Sequence, residues 1–143
     1  MKREIKVKYW FCVTDEENWR VVKEKKIWGV PERRKGIMDH VRPGDLLVFY
    51  VMPKRIGGIF RVVSMPFESK EEIFGWGEYG RHELFPFRVS LETVETPKTP
   101  VEFEPLIQKL SFTKGRRRWS APLRRGMFEI SREDYELIKA HIE

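Results

Sequence analysis

Apolar and polar positions near the N-terminus first alternate and then give way to a continuous apolar run. Residues 5–13, IKVKYWFCV, follow this pattern, which predicts a strand that enters a hydrophobic core. The next four residues, TDEE, form a capping-box signature in which Thr14 is the predicted N-cap and Glu17 the third helical residue. We therefore predict a helix over residues 15–26.

Residues that cannot continue this first helix mark its predicted end. Lysines crowd the last turn, where cations meet the negative end of the helix dipole, and Gly29 and Pro31 follow. Trp19 and Val22 share one helical face and are expected to pack inward. The pattern leaves Trp28 in a loop between the helix and Pro31.

The middle of the chain predicts two adjacent strands. Residues 37–41 fit one turn of helix, and residues 42–51, RPGDLLVFYV, fit a turn followed by a strand buried on both faces. We predict a hairpin connection over residues 54–58, with its turn at the Gly57-Gly58 pair. The return strand is then predicted over residues 58–65.

The second half of the chain mixes helical and strand patterns. It predicts a short helix at 69–74, a strand at 84–95, a short helix at 103–110, a strand at 125–130 and a C-terminal helix that begins after Ser131 with Tyr135, Ile138 and Ile142 inward. The segment GWGEYGRHE, residues 75–83, fits neither pattern. Long irregular segments inside compact domains are often functional.

The order of these elements indicates an α+β class with five or six strands and about three helices. So many strands in 143 residues favour a curved, partly closed β-barrel with flanking helices. Because no repeat and no linker divides the chain, we predict a single domain over residues 1–143.

Composition excludes several classes of protein. The longest apolar run, residues 46–52, is too short to span a membrane, and the N-terminus lacks the apolar core of a signal peptide, so a soluble cytoplasmic protein is expected. The lone cysteine, Cys12, and three scattered histidines predict neither a metal site nor a disulfide, and no cofactor motif is present. One asparagine and one glutamine among many ionic side chains are typical of thermophilic proteins.

The charge of the chain favours a polyanionic partner. Its net charge is +6 and its pI about 9.5, and the cations are clustered, which makes nucleic acid the first partner to consider. The residues predicted to hold phosphates are Arg33, Arg34, Lys35, Arg116, Arg117, Arg118, Arg124 and Arg125. Contacts of this kind supply affinity but little sequence information.

Two of the five tryptophans stand out by their surroundings. Trp10 and Trp19 lie on regular elements and are predicted to be core residues, whereas Trp28 and Trp76 lie beside glycines in predicted loops. Two aromatic rings that face each other can clamp a base taken out of its stack. The residues alone leave two alternatives open for Trp28, a pocket wall or an anchor packed into the core.

Signatures of catalysis are nearly absent from the sequence. There is no glycine-rich phosphate loop and no nucleophile elbow, and nothing pairs the candidate carboxylates Asp45, Glu78 and Glu83. Asp45 in the sequence PGD is expected to fix a turn. We therefore predict a binding protein rather than an enzyme.

The combination of YWFCVTDEENW, KIWGV, RPGDLLVFYV and GGIFRVV resembles the EVE domain, a PUA-like fold related to the YTH readers of methylated adenine. This resemblance implies a curved barrel with a pocket for a modified base in DNA or RNA. Trp28 and Trp76 would form its aromatic cage, Gly29 would follow the first cage residue, and Val13 and Thr14 would contact the base edge. Arg124 or Arg125 would contact a phosphate.

Two other functions stay open at this point. A PUA-like module could act in tRNA or rRNA processing without discriminating modified bases. The ASCH domains, a related PUA-like group, include amidohydrolases of acetylated cytidine, but their Gly-x-Lys motif does not occur here. The sequence leaves open which modification is bound and whether the nucleic acid is DNA or RNA.

Overall fold

The computed structural model describes residues 6–75 and 84–143, and these residues form eight strands and three α-helices. The strands are β1 (Tyr9–Thr14), β2 (Ile27–Val30), β3 (Leu46–Val51), β4 (Arg55–Val62), β5 (Phe67–Glu68), β6 (Phe87–Glu95), β7 (Val101–Glu102) and β8 (Met127–Ile130). The α-helices are α1 (Glu16–Lys25), α2 (Lys35–Met38) and α3 (Arg132–Ile142). Short 3-10 helices cover Glu32–Arg34, Glu104–Leu106 and Ala121–Arg125.

The strands form one curled mixed sheet. Its main path runs β2-β6-β4-β3-β1-β8, and the two-residue strands β5 and β7 pair with β6 and β4. Strand β1 lies parallel to β3, and the other pairs are antiparallel. Six main strands and three α-helices confirm the predicted α+β class and strand number.

Both faces of the central strands are buried, so the molecule has two hydrophobic cores. Successive residues of β1 point to opposite faces, so that Trp10 and Cys12 join one core and Phe11 joins the other. Trp19 of α1 packs into the first core, and Tyr135 of α3 packs into the second. This arrangement confirms the predicted strand buried on both faces and the inward positions of Trp10 and Trp19.

The first helix begins one residue later than predicted. Its N-cap is Asp15, whose Oδ1 atom accepts a hydrogen bond from the Asn18 amide at 2.8 Å, so the prediction of Thr14 as N-cap is wrong. Thr14 instead completes β1 and is buried. The capping pattern of α3 is confirmed, because Ser131 accepts from the amide of Asp134.

The first helix also ends earlier than predicted. Lys26 adopts a left-handed conformation at φ 56°, and its amide donates to the carbonyl of Val22. This reversal releases Ile27–Val30 to pair with β6. The helix is therefore stopped by backbone geometry at Lys26 and not by the glycine and proline that follow.

The predicted hairpin turn at Gly57-Gly58 is wrong, because both glycines lie inside β4. The chain turns earlier, and β4 already begins at Arg55. A Cβ atom at Gly57 would lie 2.6 Å from the ring of Trp19. The glycine is therefore needed for α1 to pack closely against the sheet, and not for a turn.

Two predicted helices are absent or shorter in the structure. Residues 69–75 are irregular, and the backbone carbonyl of Glu71 is bound by the side chain of Arg88. Between residues 103 and 110 only Glu104–Leu106 is helical, and turns follow it.

None of the helices in the described part of the chain could span a membrane.

Asp45 fixes a turn, as the sequence predicted. Its carboxylate accepts hydrogen bonds from the amides of Lys8 and Arg42 and from the indole nitrogen of Trp10, at 3.0–3.1 Å. The side chain is 3% exposed. These three bonds satisfy the buried carboxylate, which is therefore a structural group.

Candidate functional site

A cavity of about 410 Å³ opens where the ends of β1 and β3 approach β2 and the turn that precedes β8. Its lining includes both apolar and charged side chains from six different parts of the chain. Of the thirteen residues predicted for the site, eight line this cavity: Val13, Thr14, Trp28, Gly29, Arg33, Arg34, Arg124 and Arg125. Lys35 and Arg116–Arg118 do not line it, and Trp76 lies outside the described residues.

Trp28 is both a core residue and a wall of the cavity. It lies in β2 opposite Val89 and is 6% exposed, so the prediction that it lies in a loop is wrong. Its indole N–H donates to the sulfur of Met127 at 3.4 Å, and its ring meets Phe49 edge to face at 5.3 Å. Trp28 therefore belongs to the core and also borders the cavity, and its role as the wall of a base-binding pocket stays a prediction.

Three further aromatic side chains line the cavity, Tyr50, Phe74 and Phe85, and none of them was predicted as a site residue. Phe74 and Phe85 contact each other edge to face, with ring centroids 5.6 Å apart. Phe74 was assigned to a predicted helix, and Phe85 to the outer end of a predicted strand. Their positions follow from contacts that are distant in sequence, so no local pattern could have identified them.

The first strand and the first helix form a polar end of the cavity. Val13 donates its amide to the carbonyl of Gly126 at 2.8 Å, but the Gly126 amide donates to Leu123 instead. The Val13 carbonyl therefore lacks the reciprocal bond of an antiparallel pair. The Thr14 carbonyl accepts from the Met52 amide, and the Thr14 hydroxyl makes only a long bond, 3.3 Å, to the carbonyl of Asp15.

Asn18 adds an oriented amide group to this polar end. Its Oδ1 atom accepts from the Gly75 amide at 2.7 Å, and because that amide is donor-only, the side-chain NH₂ must occupy the other position. The side chain is 93% buried, and no described residue accepts a hydrogen bond from its NH₂ group. Asn18 is the single asparagine of the chain, and this rarity is the one signal that could have identified it.

Gly29 leaves room for the wall of the cavity. A Cβ atom at this position would lie 2.7 Å from the Phe85 carbonyl oxygen, 3.0 Å from the ring of Phe74 and 3.1 Å from Cγ of Arg88. Such distances are too short for an alanine without movement of the neighbours. The glycine is therefore required by the close packing of the aromatic wall behind β2.

Four arginines line the cavity from two segments of the chain. Arg34 donates to the carbonyl of Arg124 at 3.4 Å, so the two segments meet at this point. The guanidinium of Arg125 lies over the ring of Phe128, 4.5 Å from its centroid. Lys35 forms an ion pair with Asp39 at 2.9 Å on the outside of α2.

Acidic and metal-binding side chains are scarce in the described part of the cavity lining. Its one lining carboxylate, Asp15, is engaged as the cap of α1, and none of its lining residues is a histidine or cysteine. Burial raises the pKa of the Tyr50 phenol, whose oxygen accepts from the Lys54 amide. Within residues 6–75 and 84–143, no group of three potential ligands could hold a metal ion.

Comparison with known proteins identifies the fold and the relatives of this chain. The family model of the EVE domain matches residues 8–141. A UPF0310 protein of Pyrococcus abyssi is 44% identical over 142 residues, which cover 92% of this chain and 97% of that protein. A second UPF0310 protein, from Pyrococcus horikoshii, is 37% identical over a similar span, 92% of this chain and 96% of the relative.

Solved structures of low sequence identity share the same architecture. A complex of the YTH domain-containing protein Mmi1 with RNA matches with a TM-score of 0.63 at 13% identity, over 95% of this chain and 81% of that one. This likeness confirms the predicted PUA-like, partly closed barrel, a fold that the chain shares with a YTH domain.

Proposed function

This chain belongs to the EVE domain family, and from that premise and the geometry of the cavity we propose that it binds a modified base of a nucleic acid. The observation that carries the proposal is a cavity with aromatic walls, an arginine rim and an amide donor that no described residue pairs. The architecture shared with a YTH domain that was solved in complex with RNA favours RNA as the partner.

The aromatic walls support the binding of a flat group. Trp28, Phe74 and Phe85 line one cavity, and the hydrogen bond from Trp28 to Met127 and the contact with Phe49 hold its ring in one orientation. A base that stacks on such a ring gains about 1–3 kcal/mol. Trp76 remains a predicted second wall.

The polar end supports recognition of a base edge. Within the described part of the chain, the Asn18 NH₂ group has no acceptor and the Val13 carbonyl lacks its reciprocal donor. A base that presents an acceptor beside a donor would satisfy both groups. A buried polar group left unpaired costs about 1–3 kcal/mol, so a base with the wrong edge would be rejected.

The basic residues fall into two sets that would act at different distances from the base. Arg33, Arg34, Arg124 and Arg125 line the cavity and would contact the phosphates of the bound nucleotide. Arg116–Arg118 lie outside the lining, in a stretch from residue 105 to residue 128 that contains seven cations and no acidic residue. This second set would contact the phosphates of flanking nucleotides.

The proposal is for a binding module and not for an enzyme. The one carboxylate in the described lining, Asp15, accepts a hydrogen bond from the Asn18 amide and caps the start of α1, which is a structural role. Incubation of the protein with acetylated cytidine, followed by chromatography of the products, tests this statement directly. Release of acetate would identify an amidohydrolase.

A thermal-shift panel of unmodified and modified nucleoside monophosphates tests base recognition. A ligand at a hundred times its Kd adds about 2.7 kcal/mol of stability. At roughly 2.1 cal/mol/K of unfolding entropy per residue, this corresponds to about 9 °C for a chain of this length. One modified member should shift the melting temperature by several degrees more than its unmodified parent.

Matched variants locate the binding in the cavity. Asn18→Asp replaces the free NH₂ group by an acceptor of the same shape and should abolish the preference for the modified member. Arg132→Ala, on the outer surface of α3 and away from the cavity lining, serves as the control for Arg124→Ala. If each modified monophosphate raised the melting temperature by the same amount as its unmodified parent, the result would favour an RNA-binding module without base discrimination.

A further inference from the structure

Arg88 of β6 is the largest fully buried side chain among the described residues, and it is 1% exposed. Its guanidinium binds two stretches of chain that lie on either side of residues 76–83. On one side it donates to the Ser69 hydroxyl at 3.0 Å and to the carbonyl of Glu71. On the other side it donates to the carbonyls of Leu84 and Phe85 at 3.1 and 2.9 Å.

Burying a guanidinium costs free energy, because its charge is removed from water. No carboxylate oxygen of the described residues lies within ion-pair distance of it, so its hydrogen bonds all go to neutral oxygens, and the Glu71 carboxylate acts on the charge only from a greater distance. Such a charge is tolerated where hydrogen bonds offset its cost, and Arg88 makes four of them. Its donors lie in a fixed planar geometry, and they hold the two stretches of chain together.

The two stretches that Arg88 joins carry two walls of the cavity, Phe74 and Phe85. The guanidinium also lies 5.4 Å from the centroid of the Phe74 ring. Gly29 is paired directly opposite Arg88 across β2 and β6, and the missing Cβ atom makes the space that the Arg88 stem and the Phe74 ring occupy.

We propose that Arg88 is a positioning residue for the base-binding cavity, and that it holds Phe74 and Phe85 in place from behind the wall. Arg88 does not line the cavity, so its effect on a ligand passes through these two rings. The part of this inference that concerns ligand affinity rests on the proposed function. The part that concerns the order of the two stretches does not.

The test compares Arg88→Met, which keeps the volume and removes the donors, with Arg61→Met as the control. Arg61 lies on the neighbouring strand β4 and is half exposed beside Glu92. Native-state hydrogen exchange is read at the Ser69 amide, which donates to Pro86, and at the Gly75 amide, which donates to Asn18. Affinity is read with the monophosphates of methylated adenosine and methylated cytidine.

The expected result for Arg88→Met is local. Exchange at the Ser69 and Gly75 amides should rise by about tenfold, which is 1.4 kcal/mol, while amides of β3 exchange as in the parent protein. Affinity for whichever monophosphate binds the parent should fall by a similar factor. Arg61→Met should change neither quantity.

Two results would overturn the inference. Unchanged exchange at both amides shows that the stretches do not need the guanidinium, and a uniform rise along the chain shows a general core role. If the parent protein binds neither monophosphate, the proposed function fails, and hydrogen exchange alone tests whether Arg88 orders the two stretches. If Arg88→Met does not fold, Ser69→Ala tests the inference instead, because it removes one contact of the guanidinium. Hydrogen exchange at the Gly75 amide should then rise by roughly fivefold, which corresponds to the loss of about one hydrogen bond.

Discussion

Truncation of Trp28 separates its role in the core from its role as a cavity wall. The ring is 6% exposed, and that of Trp19 is 4% exposed, so exposure alone would give the two residues the same cost. Replacing a buried tryptophan by alanine costs about 3–5 kcal/mol, of which part is the new void that the neighbours fail to fill. The two positions differ in the cost of the void that each truncation leaves.

The surroundings of the two rings set the expected magnitudes. Trp19 packs between Phe49 and Phe60, at 5.4 and 5.8 Å, so its removal creates a closed void and should cost about 5 kcal/mol. Trp28 borders an existing cavity of about 410 Å³, so its removal enlarges a space that is already open. We expect Trp28→Ala to cost about 3 kcal/mol, the lower end of the range.

Thermal denaturation measures the loss of stability, and ligand titration measures the loss of affinity. At roughly 2.1 cal/mol/K per residue, costs of 3 and 5 kcal/mol lower the melting temperature by about 10 and 17 °C. Trp28→Phe keeps an aromatic face and should cost only about 1 kcal/mol, within the usual range for one substitution. Affinity for the preferred monophosphate should then fall in the order parent, Trp28→Phe, Trp28→Ala.

One result would refute this reasoning. If Trp28→Ala destabilises the protein as much as Trp19→Ala, and Trp28→Phe binds the monophosphate as well as the parent does, Trp28 is a core residue only. The base-binding site would then have to be sought elsewhere.

Three further predictions test other parts of the structure. If Arg116–Arg118 contact three flanking phosphates, changing all three to alanine should weaken the salt dependence of binding to a single-stranded RNA. The slope of the logarithm of the binding constant against the logarithm of the salt concentration should become shallower by about 2, whereas the slope for a mononucleotide should not change. Gly57→Ala should lower stability by about 1–3 kcal/mol in urea denaturation, because the new Cβ would lie 2.6 Å from the Trp19 ring, and an unchanged midpoint would contradict that packing. Burial raises the pKa of the Cys12 thiol, so Ellman's reagent should label it only as fast as the protein unfolds, and rapid labelling in native buffer would show an open β1.

The sequence predicted those elements whose signals are local. The capped helix α3 and the buried strand β3 were found because their caps and apolar runs lie within the elements themselves. The strand β2 was missed because it forms only by pairing with Phe87–Ser90, some sixty positions along the chain. A four-residue strand directly after a helix has too short a pattern of its own.

The candidate site, like the fold, was predicted only in part. Val13 and Thr14 were implied by the resemblance to the EVE domain, and the arginines of the rim were selected as basic clusters. These residues meet in one cavity. Phe74 was not selected, because its position depends on the buried Arg88 and on the space left by Gly29. A contact between three distant segments leaves no trace in any one of them.

The three hydrogen bonds to the Asp45 carboxylate also bear on how the chain finds its fold. A strand that is polar on one face resists a one-residue slip, because the slip would turn its apolar side chains toward water. Strands β1 and β3 are apolar on both faces, so a slip would merely exchange the residues of one core with those of the other. The bonds from Asp45 to Lys8 and Trp10 hold only in the native alignment, and thus a single carboxylate excludes the misaligned pairing that hydrophobicity alone would tolerate.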